Sequence, residues 1–312
     1  MLDAGTLDAT VLDAAAASPP PPAPTDPRVE VWYGTLCFFA VLNAYLLVAT
    51  VLRHPTSSAY QRWMRWLAVP MVLECAWRGV FPSLYLQRYT FWDTPLNSVI
   101  VDRTLACVGE LAWTGQLALA LAHVDGELRR GGSRWVRCCC VLSLVIMVVA
   151  EGASYYNTAT TNELWAAIEV ALDALSWVVL LPGAVMLSCE LHARGGRSTA
   201  RSFCLVFAIA AVIYPCYNAV VDCPMYLARY KADQAAGKHY FPFWAGLGDA
   251  ATRRVPVRTL AAWEQDMFWM VAYFGPAAWS SIWLVRSPSV GAASAPSATR
   301  VKPTAAVSLL AP

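Results

Sequence analysis

Seven long runs of apolar residues, separated by shorter polar segments, dominate the pattern of this sequence. An apolar helix needs about 20 residues to cross the roughly 30 Å hydrocarbon core of a bilayer, and each run is about that long. Tryptophans lie near the edges of several runs, where interfacial aromatic residues are common. The pattern therefore predicts an all-α, polytopic membrane protein, a bundle of about seven transmembrane helices. The predicted spans are about 32–53, 64–86, 98–122, 135–153, 164–188, 202–223 and 265–286.

The two ends of the chain and the segment after the sixth run differ from the rest in composition. Residues 1–30 are rich in Ala, Pro and Asp, and residues 287–312 are similar, so we expect two disordered tails. The first tail has neither the basic start and apolar middle of a signal peptide nor the arginines of a mitochondrial presequence. Residues 224–263 form the longest predicted loop. The expected location is the plasma membrane or an endomembrane, and the protein is not expected to be secreted.

The basic residues predict which way the bundle faces. Arginines are concentrated in the connections after the first, third and fifth runs, whereas the second and fourth connections hold few bases. Basic loops tend to remain in the cytosol, so we predict that the N-terminus lies outside and the C-terminus in the cytosol. The sixth connection is rich in bases and does not fit, but long loops cross a membrane with less regard to charge.

Composition narrows the classes of function. Hydrophobic residues make up 58% of the chain and charged residues 14%, a balance typical of a protein whose main partner is the lipid bilayer. The formal net charge is +2 and the bases are scattered over loops, which gives no indication of nucleic-acid binding. The three lysines lie outside every run, so no span offers an amine for a retinal Schiff base, and no cofactor is predicted.

Charged and amide side chains inside the apolar runs are the candidate functional residues. Glu74 and Arg78 are one helical turn apart in the second run, with the acid first, which is the better order for an ion pair within a helix. Charges at this depth cost at least a few kcal/mol, so we expect partners on other helices. The predicted polar core comprises Glu74, Arg78, Arg103, Glu110, Glu169, Asp173, Asn218 and Asp222.

The predicted orientation places nearly all of these side chains between the bilayer midplane and the outer surface. This asymmetry predicts an outward-facing acidic cavity that attracts a proton, another cation or a cationic small molecule. In this hypothesis Glu110 or Glu169 titrates and Arg78 is its counter-ion. The alternative is a structural polar core that only holds helices together. A position in the solvated headgroup region is expected for Glu151, Asp222, Glu264 and Asp266.

Two weaker candidates lie at the predicted cytosolic ends of the spans. His123, Cys189 and His192 offer imidazole and thiol groups, but their spacing matches no known ligand pattern, so no metal site is predicted. Three consecutive thiols begin the fourth run, and their acylation is the simpler chemical interpretation. These thiols are Cys138, Cys139 and Cys140.

No enzyme motif and no familiar seven-helix signature is present in the sequence. It lacks HExxH and GxSxG, and its seventh run has neither the lysine of microbial rhodopsins nor the NPxxY of G-protein-coupled receptors. The leading hypothesis is a transporter, a channel or another proton-linked membrane protein. The second is a receptor-like or scaffolding protein, and the third is a membrane-embedded enzyme that acts through carboxylates alone.

Overall fold

Helices account for about 82% of the residues that the computed structural model describes, which are 26–53, 58–129, 131–195, 198–286 and 288–290. The prediction of a helical fold is therefore confirmed. The α-helices in these ranges are α1 (Pro27–Arg53), α2 (Ala59–Val80), α3 (Val99–Leu128), α4 (Arg134–Thr160), α5 (Glu163–Ala193), α6 (Thr199–Tyr217), α7 (Cys223–Ala235), α8 (Phe243–Thr252), α9 (Leu260–Phe274) and α10 (Pro276–Leu284).

Five helical stretches in the described ranges are long and apolar enough to cross a membrane. They are α1, α3, α4, α5 and the continuous stretch Thr199–Ala235. The helices at the predicted second and seventh spans are not among these five, for different reasons. Charged residues lower the hydropathy of α2, whereas the last span is divided at Gly275 into helices of 15 and 9 residues. The division has a physical cause, because Pro276 has no amide hydrogen to continue the helix.

Several predicted boundaries differ from those in the structure. The second span was expected to reach residue 86, which put Glu74 and Arg78 near its middle, but α2 ends at Val80 and Arg78 lies in its last turn. Pro82 follows directly and cannot continue the helix. At the other end of the chain, α1 begins with Pro27 in the first turn, so residues 27–30 are helical and do not belong to a tail. The rest of the two predicted tails lies almost wholly outside the described residues.

The helix of the sixth run continues well beyond its predicted end. A π-helical turn, Asn218–Asp222, joins α6 to α7, so helix extends to Ala235 in what was predicted as loop 224–263. The Cys223 amide donates to the Asn218 carbonyl, five residues earlier. The next residue is Pro224, which has no amide to donate, and the wider turn accommodates it without breaking the helix.

Consecutive helices pack side by side from α1 to α6, and α9 and α10 return to pack on α1 and α2. We call the end of the bundle at which α1 begins the N-side, and the end at which α10 finishes the C-side. The C-side halves of α3, α5 and α6 are joined by an apolar cluster. Its buried members include Leu121, Val124, Leu187, Phe203 and Cys204.

Short strands and a helix cover part of the N-side. Strand β1 (Ser83–Leu84) pairs antiparallel with β2 (Tyr89–Thr90), and β2 pairs in parallel with β3 (Val255–Pro256). Helix α8, which precedes β3, packs on α4 and α3. We call residues 83–90, α8 and β3 together the cap.

Candidate functional site

Arg78 is one of two arginines around which buried carboxylates gather. Its Nη1 atom lies 2.8 Å from Oε1 of Glu74, one turn earlier on α2. Its Nε atom lies 3.2 Å from Oδ1 of Asp102 at the start of α3, and Nη1 is 3.7 Å from Oε1 of Glu110, two turns further along α3. One guanidinium therefore ties α2 to α3 through three acids.

Arg103, next to Asp102, extends this arrangement to two more helices. Its Nη2 atom lies 2.5 Å from Oε2 of Glu151 on α4 and 3.1 Å from Oε2 of Glu110. Its Nη1 atom lies 3.3 Å from Oε1 of Glu169 on α5. Glu110 contacts both guanidiniums and so links the two halves. We call the connected set the ionic network: Glu74, Arg78, Asp102, Arg103, Glu110, Glu151 and Glu169.

The network lies in the N-side part of the bundle. Arg78 is in the last turn of α2 and Asp102 in the first turn of α3, both at the N-side. Glu110 is 11 residues after Val99, which places it about 16 Å along α3 from its start. The network therefore runs from the cap to the middle of the helices.

Most of the network is closed to solvent. Glu74 is 0% exposed and Asp102 1%, and Arg78, Arg103 and Glu151 are also buried. The side chains of Glu110 and Glu169 are each 21% exposed, which makes them the most exposed members of the network.

The carboxylates outnumber the guanidiniums. Five acids share two arginines, which leaves an excess of three negative charges if every acid is ionised. In addition, Oε2 of Glu74 is buried without a hydrogen-bond partner among the described residues. An uncompensated buried charge is costly, so the network favours taking up protons or another positive charge.

Close contact between α2 and α3 depends on a glycine. The side chain of Glu74 lies where a Cβ atom at residue 109 would stand, since the position of that atom is 2.8 Å from Cβ and 2.9 Å from Cδ of Glu74. Gly109 directly precedes Glu110. The same turn of α3 therefore leaves space for Glu74 and carries Glu110, both of which belong to the network. This explains how a large buried carboxylate fits between two helices.

Aromatic rings enclose the guanidiniums. Tyr85, from the turn between β1 and β2, has its ring centroid 5.8 Å from Cζ of Arg78 and 5.6 Å from Cζ of Arg103. Phe274 and Trp269 of α9 lie 5.1 Å and 5.6 Å from Cζ of Arg78. Cation–π contacts of this kind offset part of the cost of burying the arginines. Burial also raises the pKa of the Tyr85 hydroxyl well above its ordinary value, so Tyr85 remains a neutral lining residue.

Three residues of the predicted polar core lie beside the network and do not join it. The Tyr214 hydroxyl on α6 donates a short hydrogen bond to Oδ2 of Asp173 on α5, and no described guanidinium pairs with this acid. Asn218 is buried in the π-helical turn. Asp222 ends that turn, close to Tyr217, and has no ion pair with the network in the described part of the chain.

Three network contacts were not foreseen from the sequence. Glu151 was expected to be solvated at a span end, but it is buried and pairs with Arg103 because α4 continues to Thr160, nine residues further. Asp102 was overlooked, although it lies eight residues before Glu110 and therefore on the same helical face. No pattern in the sequence indicated the contacts of Tyr85, since this residue lies in a loop that folds back onto the helices.

The remaining sequence candidates lie apart from the network. His123 stacks on Tyr60 with ring centroids 3.8 Å apart, and Cys140 donates to the Ala118 carbonyl. Among the described residues no group of three or more His, Cys, Asp and Glu side chains is arranged to hold a metal ion. The weak candidates Cys189 and His192 therefore belong to no such group in the described structure. Cys138 is exposed at the C-side.

A cavity of about 350 Å³ lies at the N-side, lined in part by the β1–β2 segment. Gln87 and Tyr89 of the turn line it together with polar residues of α7 and α9. These include Arg229, Gln265 and Asp266. Asp266 accepts a hydrogen bond from Trp269, whose ring faces Arg78, so the cavity adjoins the ionic network through one tryptophan.

Comparison with known family models, curated proteins and solved structures finds no match to this chain.

Proposed function

We propose that this protein is a proton-linked membrane transport protein in which the ionic network takes up and releases protons. The observation that carries the proposal is the ratio of five buried carboxylates to two guanidiniums in one connected network. Within a bilayer, ionisable side chains are costly and are a default indication of a functional site. A proton is the smallest positive charge that removes such an excess.

The geometry favours Glu169 over Glu110 as the acid that exchanges protons. Glu110 lies between both arginines, which compensate its charge from two sides. Glu169 has one arginine contact, at 3.3 Å, and its side chain is as exposed as that of Glu110, so Glu169 is the less compensated of two equally exposed acids. Asp173 is one turn further along α5 and lies on the same helical face as Glu169. We propose that it is the next carboxylate on the path of the proton.

Flux measurements test this proposal. Full-length protein in liposomes is expected to pass protons, recorded with a pH-sensitive dye inside the vesicles. Glu169→Gln should abolish most of the flux because it removes the exchanging group, whereas Glu264→Gln, at an exposed acid of α9, should leave it unchanged. Thermal melting checks that both variants remain folded. Absence of flux in the wild type, or full flux in Glu169→Gln, contradicts the proposal.

We further propose seven crossings, with the N-side outside. Two packing observations support this count. Helix α2 lies between α1 and α3 in the antiparallel series, and α9 and α10 together run from residue 260 to residue 284 beside α1 and α2. Buried partners compensate the charges that make α2 unusually polar for a span.

Labelling of cysteines in intact cells tests the orientation. Arg253→Cys places a thiol at an exposed N-side position, and Cys138 is a native exposed thiol at the C-side. A membrane-impermeant maleimide should label Arg253→Cys in intact cells and Cys138 only after permeabilisation, as read by peptide mass spectrometry. The reverse pattern contradicts the proposed orientation.

A structural role of the network is the second candidate. It is favoured by the close pairing of the most buried members, Glu74 with Arg78 and Asp102 with Arg78. A receptor-like or scaffolding protein would need only this pairing. Under that role Glu169→Gln lowers the melting temperature, and no proton flux is seen in any variant.

A further inference from the structure

Arg88 is a buried arginine of the cap that makes no contact with the network itself in the described structure. It lies in the turn between β1 and β2 with a φ of 57°, a left-handed conformation that is uncommon outside glycine. Its side chain is only 2% exposed. The guanidinium donates to the carbonyl oxygens of Tyr85 (2.6 Å), Thr158 (2.7 Å), Gly246 (3.3 Å) and Ala159 (3.4 Å), and to Oδ2 of Asp249 (2.8 Å).

These acceptors belong to three separate elements. Thr158 and Ala159 are in the last turn of α4, whose carbonyls lack partners within the helix. Gly246 and Asp249 are on α8, which approaches α4 so closely that a Cβ at Gly246 would overlap the Ala159 carbonyl. Arg88 therefore fastens the β1–β2 turn, α8 and the end of α4 to one another.

The same turn reaches into the ionic network. The Tyr85 carbonyl accepts from Arg88, and the Tyr85 ring faces the guanidiniums of Arg78 and Arg103. Two residues earlier, the Ser83 hydroxyl donates to Oδ2 of Asp102 at 2.7 Å. Arg88, which holds the cap together, is thus joined by a direct hydrogen bond to Tyr85, which covers the network.

We propose that Arg88 is a positioning residue that holds Tyr85 over Arg78 and Arg103 and so closes the ionic network to water from the N-side. Arginine suits this role because its planar group donates to several acceptors at once, which a lysine cannot reproduce. The inference rests on the proposed function for its purpose, since access of water governs proton exchange. The test below measures access of a water-soluble reagent to the network and not proton flux. The role of Arg88 and the proposed transport function can therefore fail independently.

Two native thiols report access without new cysteines. Cys75 follows Glu74 and is 1% exposed, so its reaction rate reports opening next to the network. Cys204 is 0% exposed in the apolar C-side cluster and serves as the matched control for general loosening. Full-length protein is treated with a small water-soluble maleimide, and the labelling rate of each cysteine is followed by peptide mass spectrometry.

Arg88→Gln and Tyr85→Leu should each raise the labelling rate of Cys75 by about tenfold or more, because local opening governs access to a buried thiol. The rate at Cys204 should not change, and Tyr85→Phe, which keeps the ring, should behave as the wild type. If Arg88→Gln does not fold, Tyr85→Leu decides the test. A Cys75 rate within about twofold of the wild type, or an equal rise at Cys204, overturns the proposal.

Discussion

Glu74 shows how tightly the network is built at the scale of single residues. It is fully buried, pairs with Arg78 at 2.8 Å and occupies the space that a side chain at position 109 would need. Its position is therefore set by a glycine on the neighbouring helix as much as by its own ion pair. Such a site responds strongly to a single added methyl group.

Gly109→Ala is expected to destabilise the protein by about 1–3 kcal/mol, because the new methyl group overlaps Glu74 and forces it away from Arg78. The matched control is Gly126→Ala on the same helix, where no atom of the described residues, apart from the adjacent helix backbone, lies within 4 Å of the added carbon. The control should be neutral or slightly stabilising, since alanine favours helix. Thermal melting compares the two, and equal melting temperatures would contradict the tight fit described for Glu74.

Part of the network was predictable at this scale. The spacing of Glu74 and Arg78 indicated an ion pair, and it is present. The seven-residue separation of Arg103 and Glu110 indicated a shared face, and they lie 3.1 Å apart. Tyr85 could not be foreseen, because helical periodicity carries no information about where a loop residue inserts.

Among the elements, the break between α9 and α10 is held in place by a contact from another helix. The Asn43 amide of α1, which is buried, donates to the Phe274 carbonyl at 2.8 Å, just before the break. Phe274 in turn places its ring on Arg78. Asn43 of α1 thus stabilises the break, and Phe274, just before it, contacts Arg78 of the network. The sequence predicted one continuous span here, although Gly275 and Pro276 together are a recognised signal of a helix end.

Asn43→Leu should lower stability by about 1–3 kcal/mol, because the Phe274 carbonyl loses its buried donor. Thr35→Val is the control on the same helix, since the Thr35 hydroxyl donates to the Val31 carbonyl within its own helix. The control is expected to change stability by less than about 0.5 kcal/mol. Chemical denaturation of the two variants provides the comparison, and an unaffected Asn43→Leu would show that the break needs no support from α1.

Across the described molecule, the ionic network lies in the N-side half of the bundle and the apolar cluster that includes Leu121 and Leu187 lies in the C-side half, whose end carries separate ion pairs such as Asp125 with Arg129. The sequence predicted seven apolar spans, and the structure confirms five helices that are long and apolar enough to cross a membrane. It did not predict the cap, which depends on pairing between segments about 165 residues apart in the chain, such as Tyr89 with Val255. Contacts at such separation are decided by tertiary packing and leave no local pattern.

We propose that the ionic network holds protons at neutral pH, because five acids share two arginines. Infrared spectroscopy of the purified protein at pH 7 tests it most directly, since a protonated carboxyl group has a carbonyl band distinct from that of a carboxylate. We expect such a band in the wild type, with lower intensity in Glu169→Gln and unchanged intensity in Glu264→Gln. A spectrum in which every carboxyl group is ionised would contradict it.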